Sequence, residues 1–211
     1  MTINLYGIIV LTGLAAGFIS ASFLSHISGL KRQSIYLTLM LNFFCTVIFS
    51  VMSVIIFSGG RQYGLSGLGG AFGLMTGTVI SVFIHNDHPF EMLSSWVVSA
   101  PLMYGIAKLG CLYSGCCPGS FMGIPVQLVV SLSFIAVYIL SVTVFVRSKD
   151  KAAATWTAMT VSFAVRIALD FFHDSHAGKI ITREQILVIV AGSIALILFA
   201  FRKNLPVLKG E

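Results

Sequence analysis

Three cysteines follow a lysine in the segment AKLGCLYSGCCPG, residues 107–119. The thiols of Cys111, Cys116 and Cys117 are open to three interpretations. They could be small buried residues, with one disulfide on an oxidising side of a membrane. They could bind a metal with a fourth ligand such as a histidine, but the spacing C-x4-C-C is not a usual zinc pattern. They could also be reactive, as an acceptor or a covalent intermediate.

A second group of ionisable residues lies in the segment AVRIALDFFHD. Arg166, Asp170 and His173 are spaced i, i+4 and i+7, which puts them on one face of a helix. A cation at membrane depth is costly unless it is paired or faces water, so it usually marks a site. An Arg–Asp pair that only joins helices is the alternative, as is snorkelling to the interface for Lys108. The third ionisable group on the stripe favours a site.

The elements that must position these groups are membrane helices. The chain has 211 residues, of which 57% are hydrophobic and only 9% are charged, whereas about a quarter are charged in soluble domains. We therefore predict an all-α integral membrane protein, a single polytopic domain over residues 1–211 with about seven transmembrane helices. The first segment has no basic flank typical of a signal peptide, so we interpret it as a retained helix. The apolar segments, each long enough to cross a bilayer, are residues 4–24, 35–57, 65–84, 92–109, 126–146, 153–172 and 185–201.

The distribution of lysine and arginine predicts the orientation, because short cytoplasmic loops are enriched in both. One set of loops carries only Arg61, Lys179 and Arg183, which predicts an N-terminus outside and a C-terminus in the cytoplasm. Topology also explains the formal net charge of +6, so we expect no nucleic-acid partner. The opposite, basic set of loops carries Lys31, Arg32, Arg147, Lys149, Lys151, Arg202, Lys203 and Lys209.

This topology brings the polar features to the outer side of the bundle. The predicted helices with Lys108 and Arg166 both run outward, and the glycine-rich segment at residues 64–73 begins outside, as does the helix with Tyr6. On the inner side, one short loop holds a cluster that we interpret mainly as a solvated turn, with a weak metal site as the alternative. That cluster consists of His85, Asp87, His88 and Glu91.

Five segments together resemble the prolipoprotein diacylglyceryl transferases, seven-helix membrane enzymes that move diacylglyceryl from phosphatidylglycerol to the lipobox cysteine of a prolipoprotein. The resemblance covers most of the chain and rests on the order and spacing of the segments. The segments are LYGIIVLTGLAAG, GLSGLGGAFG, APLMYGIAKLGCLYSGCCPG with Pro101, Gly110 and Gly119, IPVQL with Pro125 and Gln127, and RIALDFF followed by the EQ of Gln185.

The resemblance implies a set of roles for residues of this chain. Arg166 and Asp170 would be catalytic, with Asp170 orienting Arg166. The resemblance leaves the base open, and His173 is our first candidate for this catalytic role because its ordinary pKa lies near neutrality. No metal or other cofactor is implied. The substrate-binding residues would be Tyr6, Gly69, Gly70, Lys108, Gly119 and Gln185.

The chain also departs from the family pattern. Leu68 stands where the family has a histidine, and Lys108 replaces an arginine, which keeps the charge but loses a bidentate grip on phosphate. Two asparagines and a glutamate of the family signature correspond to Cys111, Ser114 and Cys116. These replacements are why the thiols need an interpretation of their own. The glycines and proline after Lys108 predict a re-entrant or interfacial loop, which is tolerated only where it lines a polar cavity.

The expected function is that of a phosphatidylglycerol-dependent diacylglyceryl transferase-like enzyme in the bacterial cytoplasmic membrane. Its site would face the outer leaflet, and its partners would be the anionic phospholipid and a prolipoprotein signal peptide or a related acceptor. The alternative is a non-catalytic lipid-binding or scaffold protein that kept the fold. A transporter is less favoured, because the sequence shows no repeated half.

Overall fold

The computed structural model describes residues 5–61, 64–84, 88–174 and 181–201, without the side chains of residues 183 and 184. Within them the chain is almost entirely helical, which confirms the all-α prediction. One short antiparallel hairpin is added, with strands β1 (Ser120–Phe121) and β2 (Ile124–Pro125). The helices are α1 (Leu5–Ile27), α2 (Arg32–Phe57), α3 (Gly67–Ile84), α4 (Pro89–Ser114), α5 (Val126–Arg147), α6 (Lys151–Asp170) and α7 (Arg183–Ala200).

Six of these helices, α1 to α6, are long and apolar enough to cross a membrane. In α7 the apolar stretch is shorter, covering Gln185–Ala200, so a seventh crossing stays a prediction. Large apolar side chains on the helix surfaces are exposed, for example Phe57 at 81% and Ile19 at 70%. Such surfaces are stable in lipid rather than water, which supports a membrane-embedded protein. The orientation of the termini stays a prediction.

The described chain forms two compact units. One unit contains residues 5–21 and 97–201, and therefore the start of α1, most of α4, and all of α5, α6 and α7. The other contains residues 22–96, and therefore α2, α3 and the remaining parts of α1 and α4.

In the unit of residues 22–96, α2 packs against α3 through small and polar residues. A Cβ on Gly73 would meet the carbonyl group of Cys45 and the Cα of Thr46, so the two backbones are in direct contact there. Lipid tails are as apolar as leucine, so helices in membranes associate through such close approach and not through apolar burial. The side chains that α2 buries are accordingly polar, namely Ser34, Thr38, Asn42, Thr46 and Ser50.

The Gly73→Ala variant should lower the stability of the helix pair by about 3 kcal/mol, because backbone atoms on the facing helix cannot yield to the added methyl group. The measurement is thermal unfolding of the purified protein in detergent. Gly70→Ala is the matched control, since a Cβ there would meet the Thr46 methyl group at an ordinary 3.6 Å. Equal unfolding temperatures for both variants would contradict the close approach.

In the other unit, α5 supplies the apolar core on which the polar residues rest. Val126, Val130 and Phe134 are buried there, and Tyr104 of α4 packs against them together with two apolar residues of α6. The ring centroids of Tyr104 and Phe134 lie 4.5 Å apart. At its start, α6 is capped by Asp150, whose carboxylate accepts a hydrogen bond from the Ala152 amide at 2.8 Å. This packing holds the Tyr104 ring of α4 against α5 and α6.

Candidate functional site

Helix α4 is longer than predicted and carries Cys111, the first cysteine of the three-thiol cluster. The sequence suggested a helix that ends at residue 109, followed by a loop, but α4 continues to Ser114. The extension is possible because the segment contains no proline, and because Gly110 leaves room for the ring of Tyr6 in α1. Gly115, with φ of +67°, then ends the helix in the left-handed conformation that glycine favours. Cys111 therefore lies on the helix, three residues after Lys108, and both share one face.

The segment predicted to be a re-entrant or interfacial loop contains a tight β-hairpin. Phe121 pairs with Ile124, so the turn consists of Met122 and Gly123, with φ of +52° and +82°. Two positive φ values are characteristic of the type I′ turn, which suits the twist of paired strands. The ring of Phe121 contacts Phe172 edge-on, with centroids 4.7 Å apart. The hairpin is thereby packed against the segment that follows α6.

A backbone connection joins the cysteine loop to the end of α6. Gly119 forms an antiparallel bridge with His173, and the Asp174 amide donates to the Pro118 carbonyl at 2.9 Å. The prediction that His173 continues the helical stripe of Arg166 and Asp170 is therefore wrong, because α6 ends at Asp170. His173 is placed by this bridge instead.

The carbonyl of Cys117 is held by two side chains from different elements. Gln127 of α5 donates from Nε2 to the Cys117 carbonyl at 2.9 Å and to the Cys116 carbonyl at 3.2 Å. The His173 Nδ1 lies 3.1 Å from the same Cys117 oxygen, and a carbonyl only accepts, so Nδ1 carries the proton. Cys117 has φ of +55°, a conformation that costs on the order of 1 kcal/mol and persists only where the surroundings enforce it. The backbone of the loop is thus fixed in a strained form.

The three thiols converge at this fixed loop. The sulfur atoms of Cys111, Cys116 and Cys117 all lie within 4.8 Å of one another, and all three are free thiols. The Cys111 thiol hydrogen-bonds those of Cys116 and Cys117. This hydrogen bond, assisted by the Lys108 ammonium, lowers the pKa of Cys117 to about 5 although its partial burial opposes the shift. The disulfide considered from the sequence is not formed among these cysteines.

Two cations lie against one aromatic ring. The Lys108 Nζ and the Arg166 guanidinium carbon are each 5.7 Å from the centroid of the Tyr104 ring. Arg166 forms the predicted ion pair with Asp170, at 3.1 Å. Lys108 is buried at 7% exposure, and among the residues that the structure describes no carboxylate lies within ion-pairing distance of it. One carboxylate of the described chain therefore lies beside the two cations, buried Lys108 and partly buried Arg166. Tyr104, which sequence reasoning missed, brings the two cations together.

His173 is itself a buried ionisable group. It is 6% exposed, and its Nε2 has no hydrogen-bond partner in the described part of the chain. Two causes lower the pKa of His173 below its usual value. Burial of the imidazole is the larger, and the nearby Lys108 ammonium is the next. The ring is therefore neutral at neutral pH, with an Nε2 lone pair able to accept a proton.

The remaining predicted site residues are distributed over both units. Tyr6 packs on Gly110 and lies in the same unit as the thiols. Gly69 and Gly70 belong to the unit of residues 22–96, where both lie against α2, so their predicted contact with substrate stays a prediction. In the inner-loop cluster, His88 Nδ1 lies 3.9 Å from Glu91, and the predicted members His85 and Asp87 lie outside the described residues.

Gln185 is fully buried near the start of α7, at 1% exposure. Its backbone amide caps the helix by donating to Thr182 Oγ1 at 3.2 Å. Neither its side-chain nitrogen nor its side-chain oxygen has a hydrogen-bond partner among the described residues. A buried amide is costly unless it is hydrogen-bonded.

The Gln185→Met variant should raise the stability of the protein by about 1 kcal/mol, because it removes the buried amide at similar volume. If Gln185 contacts substrate as predicted, the same change should weaken lipid binding. Thermal unfolding and lipid binding measured on one preparation test both effects. A loss of stability would show that the amide has a partner in the folded protein.

Comparison with known proteins adds no relative: no protein-family model matches the chain, and no curated protein matches it. The fold and the site define a polytopic helical membrane protein with one buried cation, one partly buried cation and three clustered thiols in one unit.

Proposed function

We propose that the chain is a phosphatidylglycerol-dependent diacylglyceryl transferase-like membrane enzyme. It would transfer the diacylglyceryl group to the lipobox cysteine of a prolipoprotein or to a related acceptor. The observation that carries this proposal is the pair of cations at the Tyr104 ring, buried Lys108 and partly buried Arg166. Among the described residues, Arg166 has a carboxylate within ion-pairing distance and Lys108 has none. A lipid phosphate between the two cations would contact both of them, and in a membrane it is the abundant anion.

The reaction assigns a role to each of these groups. The acceptor thiolate forms a bond to the terminal glyceryl carbon, the bond from that carbon to the phosphate oxygen breaks, and glycerol phosphate leaves with the electron pair. Lys108 and Arg166 would stabilise the charge on the departing phosphate. Asp170 would orient Arg166, and His173 Nε2 would take the thiol proton. The low-dielectric surroundings strengthen each electrostatic contact.

The same proposal includes a topology. The bias of lysine and arginine supports an N-terminus outside, a cytoplasmic C-terminus and a site that faces the outer leaflet of a bacterial cytoplasmic membrane. Reporter fusions at the two ends, one active only in the cytoplasm and one only outside, test this arrangement. A reporter that is active outside when fused to the C-terminus would contradict it.

The experiment that tests the activity measures transfer of labelled diacylglyceryl from phosphatidylglycerol to a lipobox peptide by the purified protein in vesicles. Arg166→Ala should abolish transfer, because it removes one of the two phosphate contacts. Arg147→Ala is the matched control, an exposed arginine at the end of α5. Equal transfer by the two variants would contradict the role of Arg166.

The second candidate is a lipid-binding or scaffold protein without catalysis. It is favoured by Leu68, which stands where the family that the chain resembles has its histidine. A wild-type protein that binds phosphatidylglycerol but transfers nothing to the peptide would support this candidate and contradict the enzyme.

A further inference from the structure

The cluster of three thiols is not used by the transfer reaction proposed above. We propose that Cys111, Cys116 and Cys117 form a zinc site, with three protein thiolates as ligands and a fourth position for an external donor. The proposal does not depend on lipid transfer, because its ligands lie at the end of α4 and in the loop that follows.

The distances fit a metal ion. Zinc binds thiolates at about 2.3 Å in tetrahedral geometry, which places the sulfur atoms about 3.8 Å apart. The three sulfur atoms already lie within 4.8 Å of one another, so each pair would close by no more than about 1 Å. Rotation of the side chains can supply movements of this size without a change in the backbone.

The fold explains why an unusual sequence spacing still produces a cluster. Cys111 lies on the last turn of α4, and Gly115 in the left-handed conformation reverses the chain directly after the helix. Cys116 and Cys117 therefore lie close to Cys111, although it precedes them in the sequence by five and six residues. The common zinc patterns place both cysteines of a pair in one turn, whereas here a helix end and a loop supply them.

Side chains outside the cluster hold the backbone of the loop. The residues around the ligands of metal sites have the same role. Gln127 Nε2 donates to the carbonyls of Cys116 and Cys117, and His173 Nδ1 donates to that of Cys117. Such contacts from a second layer of residues fix the orientation of ligands and are part of the design of metal sites. They also maintain the left-handed backbone of Cys117, a type of strain that concentrates at functional sites.

The charges select the metal. Three thiolates and Zn²⁺ have a net charge of −1, which the buried Lys108 ammonium balances from its position one turn before Cys111. A monovalent soft ion such as Cu⁺ would leave −2 at the same place. Thiolates are soft ligands that favour zinc over magnesium or calcium, and Cys117 is exposed, so the fourth position is open to an external donor.

The test measures zinc in the full-length protein, purified in detergent without oxygen. The expected result is about one zinc per chain, and loss of that zinc in Cys116→Ser. Cys45→Ser is the matched control, because Cys45 is the remaining cysteine of the chain and lies on α2. Zinc retained in Cys116→Ser, or lost equally in Cys45→Ser, would overturn the proposal.

A second measurement on the wild-type protein covers the case in which Cys116→Ser does not fold. Replacement of zinc by Co²⁺ should give a sulfur-to-cobalt charge-transfer band, and a chelator should make three additional thiols reactive to a maleimide, counted by intact mass. Wild-type protein whose thiols are disulfide-bonded, or whose free thiols bind neither Zn²⁺ nor Co²⁺, would also overturn the proposal.

The variant Gln127→Met tests the second layer. It removes the donor to two carbonyls at similar volume, and we expect zinc affinity to fall by about tenfold or more. Competition with a chromophoric chelator measures the change. Unchanged affinity would mean that the amide has no part in holding the ligands.

Discussion

The Lys108→Met variant should lose lipid transfer by about a hundredfold or more while its folded state becomes more stable. The loss is expected because removal of one preorganised contact to a developing charge costs about two to three orders of magnitude in rate. In the metal-free protein a gain in stability of about 2 kcal/mol is expected, because the variant replaces a buried cation that has no carboxylate within ion-pairing distance among the described residues. A residue that only maintains the fold would change stability in the opposite direction.

The control for this prediction is Lys151→Met. The Lys151 Nζ donates to the carbonyls of Phe145 and Ser148 at 2.7 and 3.2 Å and lies over the Phe145 ring, so this lysine has backbone partners. Its removal should reduce stability and leave the rate of transfer per folded molecule unchanged. Transfer rates and unfolding temperatures of the two variants, measured side by side, distinguish a phosphate contact from a residue that only maintains the fold. A Lys108→Met protein with the parental rate would exclude Lys108 as the phosphate contact.

The Gly119→Ala variant should unfold at a clearly lower temperature, with a loss of about 3 kcal/mol. A Cβ at this position would meet the Phe172 carbonyl oxygen, the His173 Cα at 2.8 Å and the Val126 side chain at 3.0 Å. Two of these atoms belong to backbone, so the bridge between Gly119 and His173 must open. Thermal unfolding in detergent measures the loss, and lipid transfer should decrease with it.

The matched control for this second prediction is Gly123→Asn in the neighbouring hairpin. Gly123 also has positive φ, +82°, but a Cβ there would meet nothing within 4 Å, and asparagine tolerates the left-handed conformation. This variant should therefore keep nearly the parental stability. If both variants unfold alike, the tight contact between Gly119 and the segment after α6 is not what limits stability.

The fold could be predicted from the sequence to the extent that it depends on apolar length. Helices α2 and α3 begin and end within a few residues of their predicted bounds, because polar or glycine-containing segments border each apolar run. The end of α4 could not be predicted in this way. The segment after Lys108 is rich in glycine and cysteine, which suggested a loop, but contact between Gly110 and Tyr6 stabilises a helix there.

The charged residues of the site could be predicted from the sequence. The contacts between segments that are distant in the sequence could not. The spacing of Arg166 and Asp170 gave their ion pair correctly, because a helix alone determines that contact. The position of His173 depends on a bridge to Gly119, more than fifty residues earlier, and no local pattern encodes it. Tyr104 precedes Lys108 by one helical turn, a signal that could have identified it. Gln127 was noted only as part of the resemblance, since its hydrogen bonds go to backbone carbonyls.

The tip of the hairpin has a consequence for how an acceptor would reach the proposed transfer site. Met122 is 88% exposed and Ile124 is 47% exposed, and both belong to the short loop that carries Cys116 and Cys117. In a membrane protein an apolar tip of this kind is expected to sink into the interfacial layer of lipid. Molecules dissolved in bulk water would then rarely encounter the site. Acceptors should arrive by two-dimensional diffusion along the bilayer, which selects amphiphilic or membrane-tethered molecules before any contact with the protein.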